Sequence, residues 1–216
     1  MKKIKGVIFD IDGTLADSVP LVVTSFQRAL GPYLKQPVSD QQIMDTFGPT
    51  EEATIRTFAP AYVEESLRKF HTHYRKLHPS MCPKTFRGII PLLHQLQSRK
   101  IKLAIVTGKG LKSALITLAQ LRIDKYFDYV ETGSPAEPIK EISLATVLKK
   151  WKGIKKKEVL YVGDAPGDVK ASLLMGVVAV LAKWAPEYQP PKPLRHQPDY
   201  TFTSVKDFST WLIKNS

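Results

Sequence analysis

Five short apolar runs decide what this chain can become: GVIFD (6–10), KLAIVTG (102–108), YVET (129–132), EVLYVGD (158–164) and VVAVLA (177–182). Each is bounded by turn residues and is apolar almost throughout, as strands covered on both faces are. A sixth run, YTFT (200–203), suits a sheet edge. Helix-period patterns fill the gaps. Leu92, Leu93 and Leu96 share a face before the second run, and Leu111, Leu115, Leu118 and Leu121 share one after it. Leu144, Val147, Leu148 and Trp151 precede the fourth run, and Ala171, Leu174 and Met175 follow it. Strand, helix, strand, repeated from residue 86 onward, specifies an α/β fold, a doubly wound parallel sheet with helices on both faces. PEYQPPKP (186–193) reads as a semi-rigid surface loop.

Residues 19 to about 83 break the alternation with helical patterns alone: PLVVTSFQRAL (20–30), SDQQIMDTF (39–47) with Ser39 as N-cap, EEATIRTFA (51–59) and AYVEESLRKFHTHYRKL (61–77). An all-helical block inserted after the first strand is expected to be a small second domain. It would sit over the carboxyl end of that strand, where open α/β sheets bind ligands, and act as a lid. The expected division is a catalytic core of residues 1–16 and 84–216 and a helical cap of residues 17–83, with 216 residues in all. Phe47, Phe58 and Phe70 fall on helical patterns and are expected in the cap's own core.

The net charge is +12, from 32 Lys and Arg against 20 Asp and Glu. Such a balance attracts anions, nucleic acid included. The basic residues are dispersed, and the densest cluster, KKWKGIKKKE (149–158), reads as a helix end and a loop with no nucleic-acid motif beside it. A solvated basic surface is therefore the better reading, with nucleic acid a lesser one. No apolar run reaches the ~18 residues of a membrane span, so no membrane partner is expected. A single cysteine, Cys82, fits a reducing compartment, and the chain is read as cytoplasmic, a monomer or a homodimer.

The chemistry concentrates where strands end. VIFDIDGT drives an apolar run into Asp10 and Asp12, with Gly13 permitting an abrupt turn. AIVTG delivers Thr107, YVGDAPGD delivers Asp164 and Asp168, and EPIKEI places Lys140 just ahead of a helix. In a doubly wound sheet these loops share one edge. Two carboxylates about 4 Å apart repel by roughly 4 kcal/mol at an effective dielectric near 20, so a divalent cation and a lysine must offset the cluster. Oxygen donors alone select a hard ion, Mg2+. A carboxylate beside Mg2+, with a hydroxyl and an ammonium nearby, is equipped to attack phosphorus. Asp10 would be the nucleophile, Asp12 the proton donor and acceptor, and Thr107 and Lys140 the contacts to the phosphoryl group.

On these residues the chain resembles the haloacid dehalogenase superfamily: DIDGTLADS matches its first motif, VTG its second and VGDAPGD its fourth. The resemblance spans essentially the whole chain and implies a Rossmann-like core, Mg2+ dependence and phosphatase chemistry on a small phosphorylated metabolite. It further implies that Asp10 and Asp164 give side-chain oxygens to the metal, Asp12 its backbone carbonyl, and that Asp168 binds it directly or through a neighbour. TFGPTEEATIRTF (46–58) and VTGKG (106–110) resemble the phosphoglycolate phosphatase and pyrophosphatase branch. There the Gly48-Pro49-Thr50 loop would face the pocket. Gly13, Thr14, Gly108 and Lys109 complete the expected substrate contacts. Two departures stand out. Gly108 replaces an asparagine, and the third motif, GSPAEPIKEISLATVLKKW (133–151), puts its prolines before the lysine, so Lys140 is preferred and Lys109 is the competitor. A phosphomutase of the same fold and a non-catalytic basic protein associated with nucleic acid are the alternatives. Dehalogenase chemistry has no use for a second aspartate at position 12.

His71, His73 and His78 do not share a helix face, so joint metal ligation is not expected. Cys82, beside Pro83, reads as an inert buried thiol. TGKG lacks the remainder of a phosphate-binding loop motif.

Overall fold

The computed structural model describes residues 3–135, 140–186 and 195–216. Six strands, β1 (Gly6–Phe9), β2 (Lys102–Val106), β3 (Tyr129–Glu131), β4 (Val159–Gly163), β5 (Val178–Ala182) and β6 (Tyr200–Phe202), form one sheet in the order β3-β2-β1-β4-β5-β6. Every pairing is parallel. The helices are α1 (Val19–Leu30), α2 (Asp40–Met44), α3 (Glu51–Phe58), α4 (Val63–Met81), α5 (Ile89–Ser98), α6 (Leu111–Leu121), α7 (Lys140–Lys150), α8 (Pro166–Met175) and α9 (Val205–Lys214). The strand alternation divides two apolar cores. Val7, Phe9, Leu103, Ile105, Leu160 and Val162 pack with α5 and α9 on one face. Ile8, Ala104, Val106, Val159 and Tyr161 pack with Leu144 and Val147 of α7 and with Trp151 just after it on the other. This is the Rossmann-like doubly wound sheet. No helix among the described residues is long and apolar enough to cross a membrane.

Between β1 and α5 the described structure contains only helical elements and loops. Ser39 caps α2 with a capping box, its Oγ accepting from the Gln42 amide and the Gln42 side chain accepting from the Ser39 amide. α4 runs four residues past the expected end, through Pro79 to Met81. The helical block is not walled off from the sheet, since one buried apolar cluster joins Phe26, Phe70 and Tyr74 to Ala114, Leu118 and Ile105. Polar contacts cross the same seam. The Tyr74 hydroxyl lies 2.7 Å and His78 Nε2 lies 3.3 Å from Thr117 Oγ1. Glu51 accepts from the Gly110 amide at 2.8 Å and from the Ser113 hydroxyl.

Several expected faces shift. Leu111 and Leu115 are 57% and 52% exposed, because α6 turns Ala114, Thr117, Leu118 and Leu121 inward toward α4 and the sheet. Leu174 is 63% exposed, since α8 buries Val169, Ala171 and Ser172 instead. Phe47 is not cap core: it lies on the loop after α2 and is 42% exposed. α9 adds a helix on the β6 side to those expected from the sequence. The proline-rich loop expected at 186–193 lies outside the described residues from 187 onward, as does 136–139 of the third motif.

The seam has a pH consequence. His78 is fully buried, and burial above all holds its imidazole below the ordinary value. As pH falls through ~6.5 the unfolded chain takes up this proton while the folded one resists it, so stability is lost below that pH and not above it. The melting temperature is expected to fall between pH 7 and pH 5, and His78→Phe should remove part of that slope. A slope indifferent to the substitution would place the cost at other groups.

Candidate active site

β1 carries the chain into the site. The Asp10 amide still donates to the Val162 carbonyl, 2.9 Å, so the aspartate is held as the last paired residue of a central strand. Beyond it the chain makes one tight loop, with Leu15 N on Ile11 O at 2.9 Å and Gly13 N on Ala16 O at 3.0 Å. Gly13 has φ of +67°, and a β-carbon there would run into the Asp164 carboxylate. The loop thus brings Asp164 to close against its glycine.

Asp10 is 6% exposed. Its Oδ1 accepts from the Ile11 amide at 2.7 Å and its Oδ2 from Lys140 Nζ at 2.8 Å. Lys140 also pairs with Asp168, so one ammonium bridges two carboxylates. Burial works against that charge, but Asp10 and Asp168 outweigh it and hold the lysine above its ordinary value. Asp168 is 1% exposed and well supplied with partners: Oδ1 accepts from the Tyr161 hydroxyl at 2.7 Å as well as from Lys140, and Oδ2 accepts from the Ala165 amide at 2.9 Å. Asp164 has the opposite environment. Burial, then the Asp168 and Asp10 carboxylates, push its carboxyl well above the usual range.

Among the described residues, Asp10, Asp164 and Asp168 are the group with ligand atoms close enough to share a metal, within 4.8 Å of one another. All the donors are oxygen, and the Asp164 carboxyl is raised by burial and then by the Asp168 and Asp10 carboxylates, a strain that a divalent cation would relieve. Those two facts fit a hard cation such as Mg2+.

Asp12 is held separately. Lys109 Nζ lies 3.1 Å from both its oxygens, and the Ser18 hydroxyl donates to Oδ1. The Lys109 side chain is 3% exposed and its ammonium sits 4.7 Å over the Tyr74 ring. Burial opposes its charge, yet Asp12, Tyr74 and Glu51 raise it above the ordinary lysine value. Burial also pushes the Tyr74 phenol up to about 12. Lys109 therefore supports Asp12, and it also lines the cavity where a substrate contact was expected. The two lysines divide the work: Lys140 serves Asp10, and Lys109 serves Asp12.

A cavity of about 650 Å³ opens above these groups, lined in part by Asp10, Asp12, Thr107, Gly108, Lys109, Lys140 and Asp164 on its floor. Gly48 and Pro49 also line it, whereas Gly13, Thr14 and Thr50 do not. Thr14 is fully buried and its carbonyl accepts from the Trp184 indole at 3.0 Å. Thr50 begins α3 and is 5% exposed. Thr107 is 2% exposed, its hydroxyl accepting from the Lys109 amide at 3.4 Å. Cys82 is 2% exposed and burial pushes its thiol up to about 12, which leaves it inert.

Sequence reasoning missed Ser18, Glu51, Tyr161 and Phe47. Ser18 ends the quoted first motif, and its position just before α1 was the available signal. Tyr161 and Glu51 act on partners distant in sequence, which no local pattern announces. Gly108 gains a reason. A β-carbon there would lie 2.7 Å from the Gly48 carbonyl oxygen, so an asparagine cannot enter without moving the 47–50 loop. Gly108→Ala should cost about 1–3 kcal/mol of stability by overpacking and lower kcat/KM as the loop lifts from the floor. Thermal melts and kinetics on one preparation check this, and an unchanged melting temperature would mean the loop yields freely.

The family model described as haloacid dehalogenase-like hydrolase matches residues 7–182. A pyrophosphatase PpaX from Halalkalibacterium halodurans is 26% identical over 215 residues, covering 95% of each chain. PpaX from Listeria innocua is 28% identical over 213 residues, covering 95% of this chain and 94% of that one. Among solved structures, one titled a predicted phosphoglycolate phosphatase from Haemophilus somnus superposes with a TM-score of 0.82 at 22% identity, covering 98% and 99% of the two chains. CbbY from Rhodobacter sphaeroides, solved with phosphate, gives 0.79 at 16% identity, covering 93% and 94%.

Proposed function

The chain belongs to the haloacid dehalogenase-like hydrolase family, and from that membership we propose that it is a Mg2+-dependent phosphatase of small organic phosphates that works through an aspartyl phosphate on Asp10. The observation that carries the reading is the separation of two charge systems at one sheet edge. Asp10 is bridged by Lys140 to Asp168, and Asp12, 26% exposed at its side chain, is held by Lys109 and Ser18.

The Asp10 carboxylate attacks phosphorus, forming an acyl phosphate as the ester P–O bond breaks. Asp12 gives its proton to the departing alkoxide. It then takes a proton from the water that attacks phosphorus, which frees inorganic phosphate and restores Asp10. Lys140 and the Thr107 hydroxyl face the phosphoryl oxygens, where preorganised donors count most in the transition state. The Asp10 and Asp164 side chains with the Asp12 carbonyl would hold Mg2+, and Asp168 positions Lys140. When bound, the cation neutralises the phosphoryl oxygens. Residues 17–83 act as a cap that must part from α6 to admit substrate. The single cysteine, a buried free thiol, supports a cytoplasmic setting.

The test is phosphate release from p-nitrophenyl phosphate with Mg2+ and with excess EDTA. Activity that survives chelation, or none in either condition, defeats the reading. The Asp12 role has its own check. Asp12→Asn should spare aryl phosphates, whose leaving groups need little protonation, more than alkyl phosphates, and acid quench should trap phosphoenzyme. Equal loss on both classes with nothing trapped would remove Asp12 from the proton transfers.

A further inference from the structure

The phosphatase reading concerns the phosphoryl half of the substrate, and the cavity speaks to the other half. Its roof, supplied by α1 and the loop between α2 and α3, presents Val19, Val22, Phe26, Phe47 and Pro49. The polar residues of that roof are already committed. Glu51 accepts from Gly110 and Ser113, and Thr54 Oγ1 lies 2.9 Å from Thr46 Oγ1. No lysine or arginine of residues 17–83 lines the cavity among the described residues.

The charges tell the same story. Five carboxylates line the cavity (Asp10, Asp12, Glu51, Glu141 and Asp164) against three lysines. Lys109 and Lys140 are paired with Asp12 and Asp10. Lys170, on α8 and away from the roof, lies 3.9 Å from Glu141. A divalent cation and the phosphoryl dianion use what positive charge the floor provides. A second anionic group pressed against the roof would shed its water and find no free cation, with the Glu51 carboxylate nearby. Phe47, 42% exposed though aromatic, gains cover only from an apolar neighbour.

We infer that the enzyme's substrates are phosphomonoesters of uncharged, largely apolar alcohols, rather than esters whose leaving group carries a carboxylate or a second phosphate, with Phe47 among the residues that set this choice. The inference rests on the phosphatase reading. It deepens that reading by assigning the roof to the leaving group.

Benzyl phosphate and phosphoglycolate are both primary alkyl esters, so their comparison at saturating Mg2+ isolates the roof from leaving-group acidity. Inorganic pyrophosphate serves as the second anionic probe. The expected result is a kcat/KM for benzyl phosphate at least ~10-fold above either, the scale on which an apolar pocket discriminates. Phe47→Arg, at an exposed loop position, should lower the benzyl phosphate to phosphoglycolate ratio about 10-fold, with phosphoglycolate rising. The inference is overturned if wild type prefers phosphoglycolate or pyrophosphate, or if Phe47→Arg lowers all three alike. Turnover of p-nitrophenyl phosphate in those cases leaves the phosphatase reading standing, whereas hydrolysis of none of the four removes both.

Discussion

Asp10→Asn is expected to bring turnover of every phosphomonoester below detection while leaving the protein folded and at least as heat-stable as wild type. The substitution keeps the shape of the side chain and its acceptor for the Ile11 amide, 2.7 Å away, but removes the attacking charge. Loss of a nucleophile leaves no second route to the acyl phosphate, so the effect should match the largest seen for a catalytic group, on the order of 10^4-fold or more. The stability half follows from electrostatics. Asp10 is one of the carboxylates that push Asp164 above its usual range, and Lys140 keeps Asp168 after the change. Removing one of several crowded charges relieves repulsion that the functional site otherwise stores. Phosphate release and a melting curve on one sample decide it. A metal-dependent, active Asp10→Asn enzyme would falsify the aspartyl-phosphate route, and a collapsed melting temperature would mean Asp10 also holds the fold.

Lys140→Ala should carry the second largest effect, a fall in kcat of ~10^2-fold or more, accompanied by a lower melting temperature. Its ammonium lies 2.8 Å from Asp10 Oδ2 and bridges to Asp168, at 13% side-chain exposure. Breaking a buried pair by deleting one partner costs about 3–5 kcal/mol, because the carboxylate left behind stays desolvated. Lys140→Met, which keeps most of the packing volume, separates lost charge from lost bulk. Lys109→Ala offers the contrast. Since Lys109 holds Asp12, it should reduce kcat with alkyl phosphates more than with aryl phosphates and change KM little. If Lys109→Ala collapses kcat on every substrate while Lys140→Ala stays near wild type, the assignment of the two lysines is reversed.

The sheet was legible in the sequence because burial on both faces writes itself into composition. Val7, Ile8 and Phe9 are all fully buried, and a strand of that kind can only be apolar. Asp10 and Asp164 were legible because each follows such a run directly, with Asp12 and Asp168 a few residues beyond. Helix faces were less so. Leu111 and Leu115 fit a stripe as well as Ala114 and Leu118 do, and only the approach of α4 decides which side is inward. Phe47 shows the same limit from the other side, since an aromatic near a helix end reads as core until the cavity beside it is known. Lys109 was visible as a lysine near the site, but its partner Asp12 is 97 residues away, and no local rule states that pairing. α9 was legible too, in Ser204, which caps it, and in Val205, Phe208 and Leu212, which recur at helical spacing, but so short a run after an edge strand is easily passed over.

The place of β1 in the sheet sets when this enzyme can come into being. Gly6 pairs on one side with Lys102 and on the other with Val159, so the strand that carries the nucleophile lies between neighbours that a ribosome delivers much later. Until both have emerged, the N-terminal strand has no lasting ladder on either edge, and its apolar residues remain open to the wrong partner. Closing loops of that length before any pairing rewards them makes for slow assembly, and an unpaired apolar strand is the usual point of aggregation. The helices of residues 19–81 can begin to form in the interval, since α1 and α4 pack on each other, although their seam with α6 must wait. Catalytic competence should therefore appear late and all at once, with the emergence of β4, and truncation just before Val159 should yield a chain that is helical, inactive and prone to aggregate.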